Sequence, residues 1–164
     1  MAKFRRMTTL NTLLKVGLIP LFYEKDIDKA CHIVEACLDG GARLIEFTNR
    51  GDGAYRVYEA ISQRFEDDPR LIFGAGSIID PGTAAFFLQM GANFIVGPTL
   101  NPDIAFVCNQ RKVPYLPGCG TANEIAAAEK VGTEICKIFP GEAAGGPSFV
   151  KSVLGPMPWS SLMP

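Results

Sequence analysis

Gly41-Ala-Arg-Leu-Ile-Glu-Phe-Thr48 opens on a residue that ends helices and runs straight into an apolar stretch of strand formers. The arrangement returns at Gly91-Ala-Asn-Phe-Ile-Val96 and again at Gly132-Thr-Glu-Ile-Cys-Lys-Ile138. A helix stop followed at once by a short run rich in Val, Ile, Leu and Phe is the pattern of βα units, whose parallel strands are buried on both faces.

Outward from these three segments, six such runs can be read: Val16–Phe22, Arg43–Thr48, Leu71–Gly76, Asn93–Gly97, Val113–Pro117 and Ile135–Phe139. Helical periodicity fills the gaps. Asp26 to Leu38 puts Ile27, Ala30, Ile33, Val34 and Leu38 on one face, and Asp80-Pro81 and Asn101-Pro102 each combine an N-cap with a first-turn proline. Thr121-Ala-Asn-Glu124 reads as a capping box before Ile125–Val131.

The runs recur about every 20 to 28 residues, close to the roughly 30 per unit of a (β/α)₈ barrel. The rival, a doubly wound open sheet, would carry a glycine-rich phosphate fingerprint after its first strand, and Pro20-Leu-Phe-Tyr-Glu-Lys25 has none. The expected fold is therefore an α/β chain in one (β/α)₈ TIM barrel domain over residues 1–164, with a short N-terminal helix. A seventh strand is expected to begin near Ser161-Leu-Met-Pro164, and two further βα units would complete the barrel, so the length reads as a truncation at the start of strand seven.

The 164 residues carry 16 Lys+Arg against 17 Asp+Glu, and 48% are hydrophobic, which suits a domain with a substantial core. A net charge of −1 gives no electrostatic footprint for a phosphate backbone. The only basic cluster, Lys3, Arg5 and Arg6, reads as a solvated tail, so nucleic acid is not an expected partner. Neither is a membrane, because the apolar runs fall far short of the roughly 20 residues that span a bilayer. The first residues lack the apolar centre of a secretory signal, and five cysteines without CxxC pairing read as reduced, mostly buried thiols of a cytoplasmic protein.

In a barrel, alternate strand residues point inward and the C-terminal strand ends carry the chemistry. Two strands place a charge where an apolar residue belongs. In the second, Leu44, Glu46, Thr48 and Arg50 share one parity; in the sixth, Lys137 shares its parity with Ile135 and Phe139. Of the eight lysines, Lys137 alone falls inside a strand. A buried amine loses hydration of its charged form, which favours the neutral nucleophile that imine formation requires. The alternative is an outward Lys137 paired with Glu134 or Glu142. Strands two and six face one another across an eight-stranded barrel, so Glu46 and Lys137 could meet near its axis, with Glu46 as proton shuttle; otherwise Glu46 is in a structural ion pair with Lys137 or Arg50.

At the same rim, Arg50 can grip a carboxylate or phosphate in a bidentate way, and Thr48 and Ser77 can offer hydroxyls. Ser77 follows Gly74-Ala-Gly76, small residues that would let a ligand approach backbone N–H groups. Gly97-Pro98 and Pro117-Gly-Cys-Gly-Thr121 are expected to shape the pocket floor and rim, with Cys119 as a small pocket residue. His32, the single histidine, falls mid-helix, and without a ligand cluster around it no metal site is expected.

Taken together, Ile19-Pro20, Ile45-Glu-Phe-Thr-Asn-Arg50, Gly74-Ala-Gly-Ser77, Gly97-Pro98, Pro117-Gly118 with Thr121, and Cys136-Lys-Ile-Phe-Pro-Gly-Glu142 followed by Gly145-Gly146 resemble the 2-keto-3-deoxy-6-phosphogluconate (KDPG) and 4-hydroxy-2-oxoglutarate aldolase family. The resemblance covers nearly the whole chain in family order. It implies a metal-free, cofactor-free class I aldolase that cleaves a 2-keto-4-hydroxy acid to pyruvate and an aldehyde, glyceraldehyde 3-phosphate or glyoxylate. On it, Lys137 matches the Schiff-base lysine, Glu46 the general acid/base and Arg50 the anion-binding arginine. Ser77 stands where threonine is common, touching pyruvate; Phe139 matches the aromatic beside the imine and Pro98 a pocket-lining proline. A homotrimer is also implied. The family's phosphate-binding Thr-Gly-Gly loop would follow Pro164, which leaves phosphorylated and unphosphorylated substrates both open. Two other functions fit the same residues: a metal-free phosphosugar isomerase or epimerase using Glu46 as base, and a non-catalytic barrel that binds a keto acid.

Overall fold

Three glycines repeat one backbone closure in the computed structural model, which describes residues 1–164. Gly41, Gly91 and Gly132 all adopt left-handed conformations, with φ of 93°, 92° and 89°, a region that an L side chain enters only under strain. The residue after each then donates its N–H five residues back: Ala42 to Cys37 O (2.9 Å), Ala92 to Phe87 O (3.0 Å) and Thr133 to Ala128 O (3.2 Å). This satisfies carbonyls that the helix end would otherwise orphan and turns the chain into the next strand.

The elements follow in the order α1 (Arg6–Val16), β1 (Leu21–Phe22), α2 (Ile27–Asp39), β2 (Leu44–Thr48), α3 (Ala54–Arg64), β3 (Ile72–Gly76), α4 (Pro81–Gln89), β4 (Ile95–Val96), α5 (Pro102–Arg111), β5 (Tyr115–Leu116), β6 (Gly118–Cys119), α6 (Ala122–Lys130), β7 (Cys136–Ile138), α7 (Gly146–Leu154) and β8 (Leu162–Met163). Asp26, Asp80, Asn101 and Thr121 cap their helices through side-chain oxygens, and Glu124 completes the capping box. Each cap is worth about 1 kcal/mol.

Every strand pairing is parallel. The ladder runs β1-β2-β3-β4-β5 and then β6-β7-β8. Pro117, which has no N–H to give, divides β5 from β6, and Gly118 N–H to Gly97 O at 2.9 Å carries the pairing across the break. Seven strand positions result. Glu46 in the second and Lys137 in the sixth approach to 4.0 Å, although four positions of a flat sheet would span about 19 Å. The sheet therefore curls round as a TIM barrel does, with β1 and β8 each pairing on one side only.

Strand parity separates two apolar layers. Leu44, Ile72, Phe94, Val96, Leu116 and Ile135 fill the concave side, closed off by Leu10 and Leu13 of α1. Ile45, Phe47, Phe73, Ala75, Ile95 and Tyr115 face the other way, into the larger core under α2 to α5. The stack of Tyr58 on Phe73, ring centroids 4.5 Å apart, is part of that layer.

Four sequence expectations need correction. Val16 belongs to α1, not to the first strand: Gly17, left-handed at φ 66°, ends the helix and leaves only Leu21–Phe22 in β1. Ile27, assigned to the buried face of α2, is 45% exposed; it is the first residue of the helix, and the buried positions begin one turn later at Ala30. Of the basic cluster expected to be a solvated tail, only exposed Arg5 behaves as one. Arg6 donates to both carboxylate oxygens of Glu134 (2.7 and 2.8 Å) and to Asn109 Oδ1 (2.7 Å), and Lys3 Nζ donates to Asp68 O (2.6 Å), so both tie the N-terminal segment to distant parts of the chain. Cys119 is not at the rim: it is fully buried behind the sheet with Cys136, Ile125 and Ala128. The pairing of Leu162 and Met163 with Cys136 and Lys137 puts a seventh strand position where the sequence reading expects one.

Candidate active site

β2 is buried along its whole length, yet its middle residue is a carboxylic acid. Glu46 shares the inward parity of Leu44 and Thr48, and its side chain is only 3% exposed. Burial pushes its carboxyl above the usual range, and the positive charges of Lys137 and Arg50 offset only part of that rise.

The carboxyl fits because β3 leaves room for it. A Cβ on Gly76 would collide with Glu46 Oε1, and one on Gly74 would collide with the Phe94 ring. These glycines therefore admit protein side chains rather than a ligand, correcting the expectation for Gly74-Ala-Gly76. The backbone of Gly76 is not left-handed, so Gly76→Ala should fold. It should nevertheless displace the carboxyl and lower turnover by about 10²-fold, the usual cost of an ångström-scale misplacement. Steady-state kinetics and a thermal melt measured together check this; loss of activity only in proportion to loss of folded protein would refute it.

β7 carries Lys137 inward, opposite Gly118 on one side and Met163 on the other. Neither candidate outward partner holds it. Glu134 is taken by Arg6, and Lys137 Nζ instead lies 4.0 Å from Glu46 Oε2, its side chain 16% exposed. That gap is too long for a direct hydrogen bond, although a single water or substrate oxygen beside the pair could bond to both groups. The Phe139 ring, 42% exposed, lies 5.7 Å from Nζ, within reach of the ring's negative face.

The remaining candidates stand at or just past the C-terminal ends of the strands around this pair, Thr48 buried and the others more open. The Thr48 hydroxyl donates to Phe22 O at 3.2 Å, lacing β1 to β2, which leaves its lone pairs rather than its proton for a ligand. Arg50 stands exposed just past β2, near enough to Glu46 to favour its charged form. Ser77, half-buried after β3, is left-handed at φ 60°, a strained conformation of the kind concentrated at functional sites. Half-buried Pro98 follows β4, its carbonyl pressed against Gly118. His32 is exposed on α2, outside the site, and no group of three or more His, Cys, Asp or Glu is placed to hold a metal. No helix is long and apolar enough to cross a membrane.

The sequence identifies Asn101 only as a helix cap and does not single out Tyr115 beneath this rim. Its one available signal was an aromatic with a hydroxyl inside an otherwise apolar strand.

The family model described as KDPG and KHG aldolase matches residues 10–164. The KHG/KDPG aldolase of Escherichia coli (strain K12) is 29% identical over 150 residues, covering 91% of this chain and 69% of that protein. The 2-dehydro-3-deoxy-phosphogluconate aldolase of Treponema pallidum (strain Nichols) is 31% identical over 150 residues, covering 92% and 70%. Among solved structures, KDPG aldolase from Legionella pneumophila, with pyruvate captured as a covalent carbinolamine intermediate, superposes with a TM-score of 0.81 at 28% identity, covering 88% of this chain and 68% of that one.

Proposed function

From the premise that the chain belongs to the KDPG and KHG aldolase family, we propose that it is a class I aldolase that cleaves a 2-keto-4-hydroxy acid through a Schiff base on Lys137. The observation that carries this reading is the inward Lys137 amine 4.0 Å from the buried Glu46 carboxyl. A carbinolamine captured in the Legionella pneumophila relative supports the same chemistry.

The neutral amine adds to the C2 ketone, and the carbinolamine loses water to give an iminium ion. Glu46 takes the proton from the C4 hydroxyl, directly or through a water, as the C3–C4 bond breaks. The bonding pair moves into the iminium, giving an enamine, and the aldehyde leaves. Protonation of the enamine at C3 by the Glu46 acid, followed by hydrolysis, frees pyruvate and restores both groups. The iminium is the electron sink, so the step needs no metal. A carboxyl raised by burial suits a group that must both accept and return a proton.

Arg50 binds the substrate's anionic group, Ser77 and Thr48 hold the pyruvyl end, Pro98 lines the pocket and Phe139 shields the imine. The substrates are KDPG, its galactonate epimer or 4-hydroxy-2-oxoglutarate, with glyceraldehyde 3-phosphate or glyoxylate released beside pyruvate. We place the protein in the cytoplasm as one barrel domain that assembles as a homotrimer; exposed Ile79, Phe86 and Phe106 supply apolar surface for such an assembly. Coupled detection of pyruvate release from the phosphorylated and unphosphorylated substrates tests the reading. Release from at least one, lost in Lys137→Ala, is the expected result, and a folded protein that releases pyruvate from none of them would overturn it.

A further inference from the structure

Ser77 and Pro98 belong to loops, yet a site of this kind needs them held to a fraction of an ångström. The loop after β3 and the loop after β4 share one brace, and it lies outside the catalytic pair. Tyr115, on β5, has the outward parity and is 2% exposed. Its hydroxyl donates to Thr99 O at 2.9 Å and accepts from Asn101 N–H at 3.2 Å, so one phenol holds both ends of the turn that follows Pro98. Asn101 continues the connection. Its Oδ1 accepts from Asp103 N–H as the cap of α5, while its Nδ2 donates to Ile79 O at 3.2 Å, two residues past left-handed Ser77.

The surrounding backbone is shaped to admit this brace. A Cβ on Gly97 would lie 2.7 Å from the Tyr115 hydroxyl, 3.0 Å from Thr99 O and 3.1 Å from Ile78 O. Ile78 N–H is tied to Val96 O at 3.1 Å, which fixes the base of the first loop against β4. Burial pushes the phenol up to about 12, so at neutral pH its proton remains in place to donate to Thr99.

We propose that Tyr115 and Asn101 are positioning residues for substrate binding, setting the two rim loops so that Ser77 and Pro98 meet the pyruvyl group. Neither touches the reacting atoms. The inference rests on the aldolase reading, and its test separates the two.

Tyr115→Phe removes both hydroxyl bonds without changing the ring. Asn101→Asp keeps the capping oxygen but loses the donor to Ile79. The pyruvate concentration that gives half-maximal borohydride trapping on Lys137, and KM and kcat for cleavage, are measured for the parent, both variants and the double variant. Each single variant should raise half-saturation by roughly tenfold, a typical effect of one lost hydrogen-bonded brace. In each, kcat should stay within about threefold and the acid limb of the pH profile should not move. The double variant should be little worse than either single one, because both act on one element. Trapping in the parent with unchanged half-saturation in the variants would overturn the brace alone. Effects that multiply in the double variant would overturn it as a shared element. No trapping in the parent would overturn the Schiff-base reading and this inference with it.

Discussion

Reduction with borohydride in the presence of pyruvate is expected to fix a stable adduct of about 72 Da on Lys137, the increment left when a ketone condenses with an amine, loses water and is reduced. The adduct should appear on that lysine and no other. Lys137 is the one lysine within a strand, facing Glu46 from the concave side of the sheet, whereas the remaining seven lie on helices, loops or the N-terminal segment. Lys137→Arg makes the sharper control. It keeps a cation beside Glu46, but a guanidinium stays charged and forms no imine. It should therefore abolish the adduct and lower turnover by on the order of 10⁴-fold or more, the scale on which loss of a covalent nucleophile is felt. Peptide mass spectrometry locates the adduct, and a thermal melt confirms that the variant is folded. A parent that gains no mass would redirect attention to Glu46 as a proton-transfer base of an isomerase or epimerase, with Lys137 an electrostatic partner. An adduct with no pyruvate release from any of the candidate substrates would instead indicate a keto-acid binder.

The sequence revealed features whose cause is local. A glycine that must be left-handed at the end of a helix, a carboxylate or hydroxyl that caps the first turn, and the alternation of Leu44, Glu46 and Thr48 against Ile45 and Phe47 are all decided within a few residues, and each is found in the structure. The inward aim of Lys137 followed from the same alternation. Features with distant causes stayed hidden. Nothing near Arg6 announces Glu134, more than a hundred positions away, so from sequence the cluster around Arg6 resembles a solvated tail. Gly76 could be seen as small, but the occupant of its missing side chain, Glu46, comes from a neighbouring strand. The expectation of a pocket role for Cys119 fails because the ladder resumes at Gly118, after Pro117, and turns the thiol behind the sheet. Nothing in the sequence singles out Tyr115, because its partners, Thr99 and Asn101, lie in the loop after β4.

Glu46→Gln should separate what the carboxyl does for catalysis from what it does to stability. The amide keeps the size of the acid and cannot take the C4 hydroxyl proton, so turnover should fall by roughly 10²- to 10⁴-fold, the range for loss of a positioned acid/base. Imine formation itself should persist, if more slowly, and borohydride should still trap pyruvate on Lys137. In the parent, cleavage should climb with pH as Glu46 ionises, at a pH above the ordinary carboxylate range because burial raises this group; the variant should lack that limb. Stability should move the other way. A carboxyl raised on folding favours the protonated native state, so its contribution is fully present below the unfolded value of about 4.3 and is lost as pH rises through the raised value. Glutamine resembles the protonated acid at every pH. Parent and variant should therefore melt together near pH 4, and the variant should melt at the higher temperature once the parent's carboxyl has ionised. A melting difference that stayed constant across that interval would mean that the carboxyl's burial is not what sets its titration. The predicted gain already includes the lost attraction to Lys137, since the shift is upward with that attraction counted. Holding this acid inside the sheet thus costs the fold stability at neutral pH, and on the proposed aldolase reading proton transfer at the site is the property that the cost maintains.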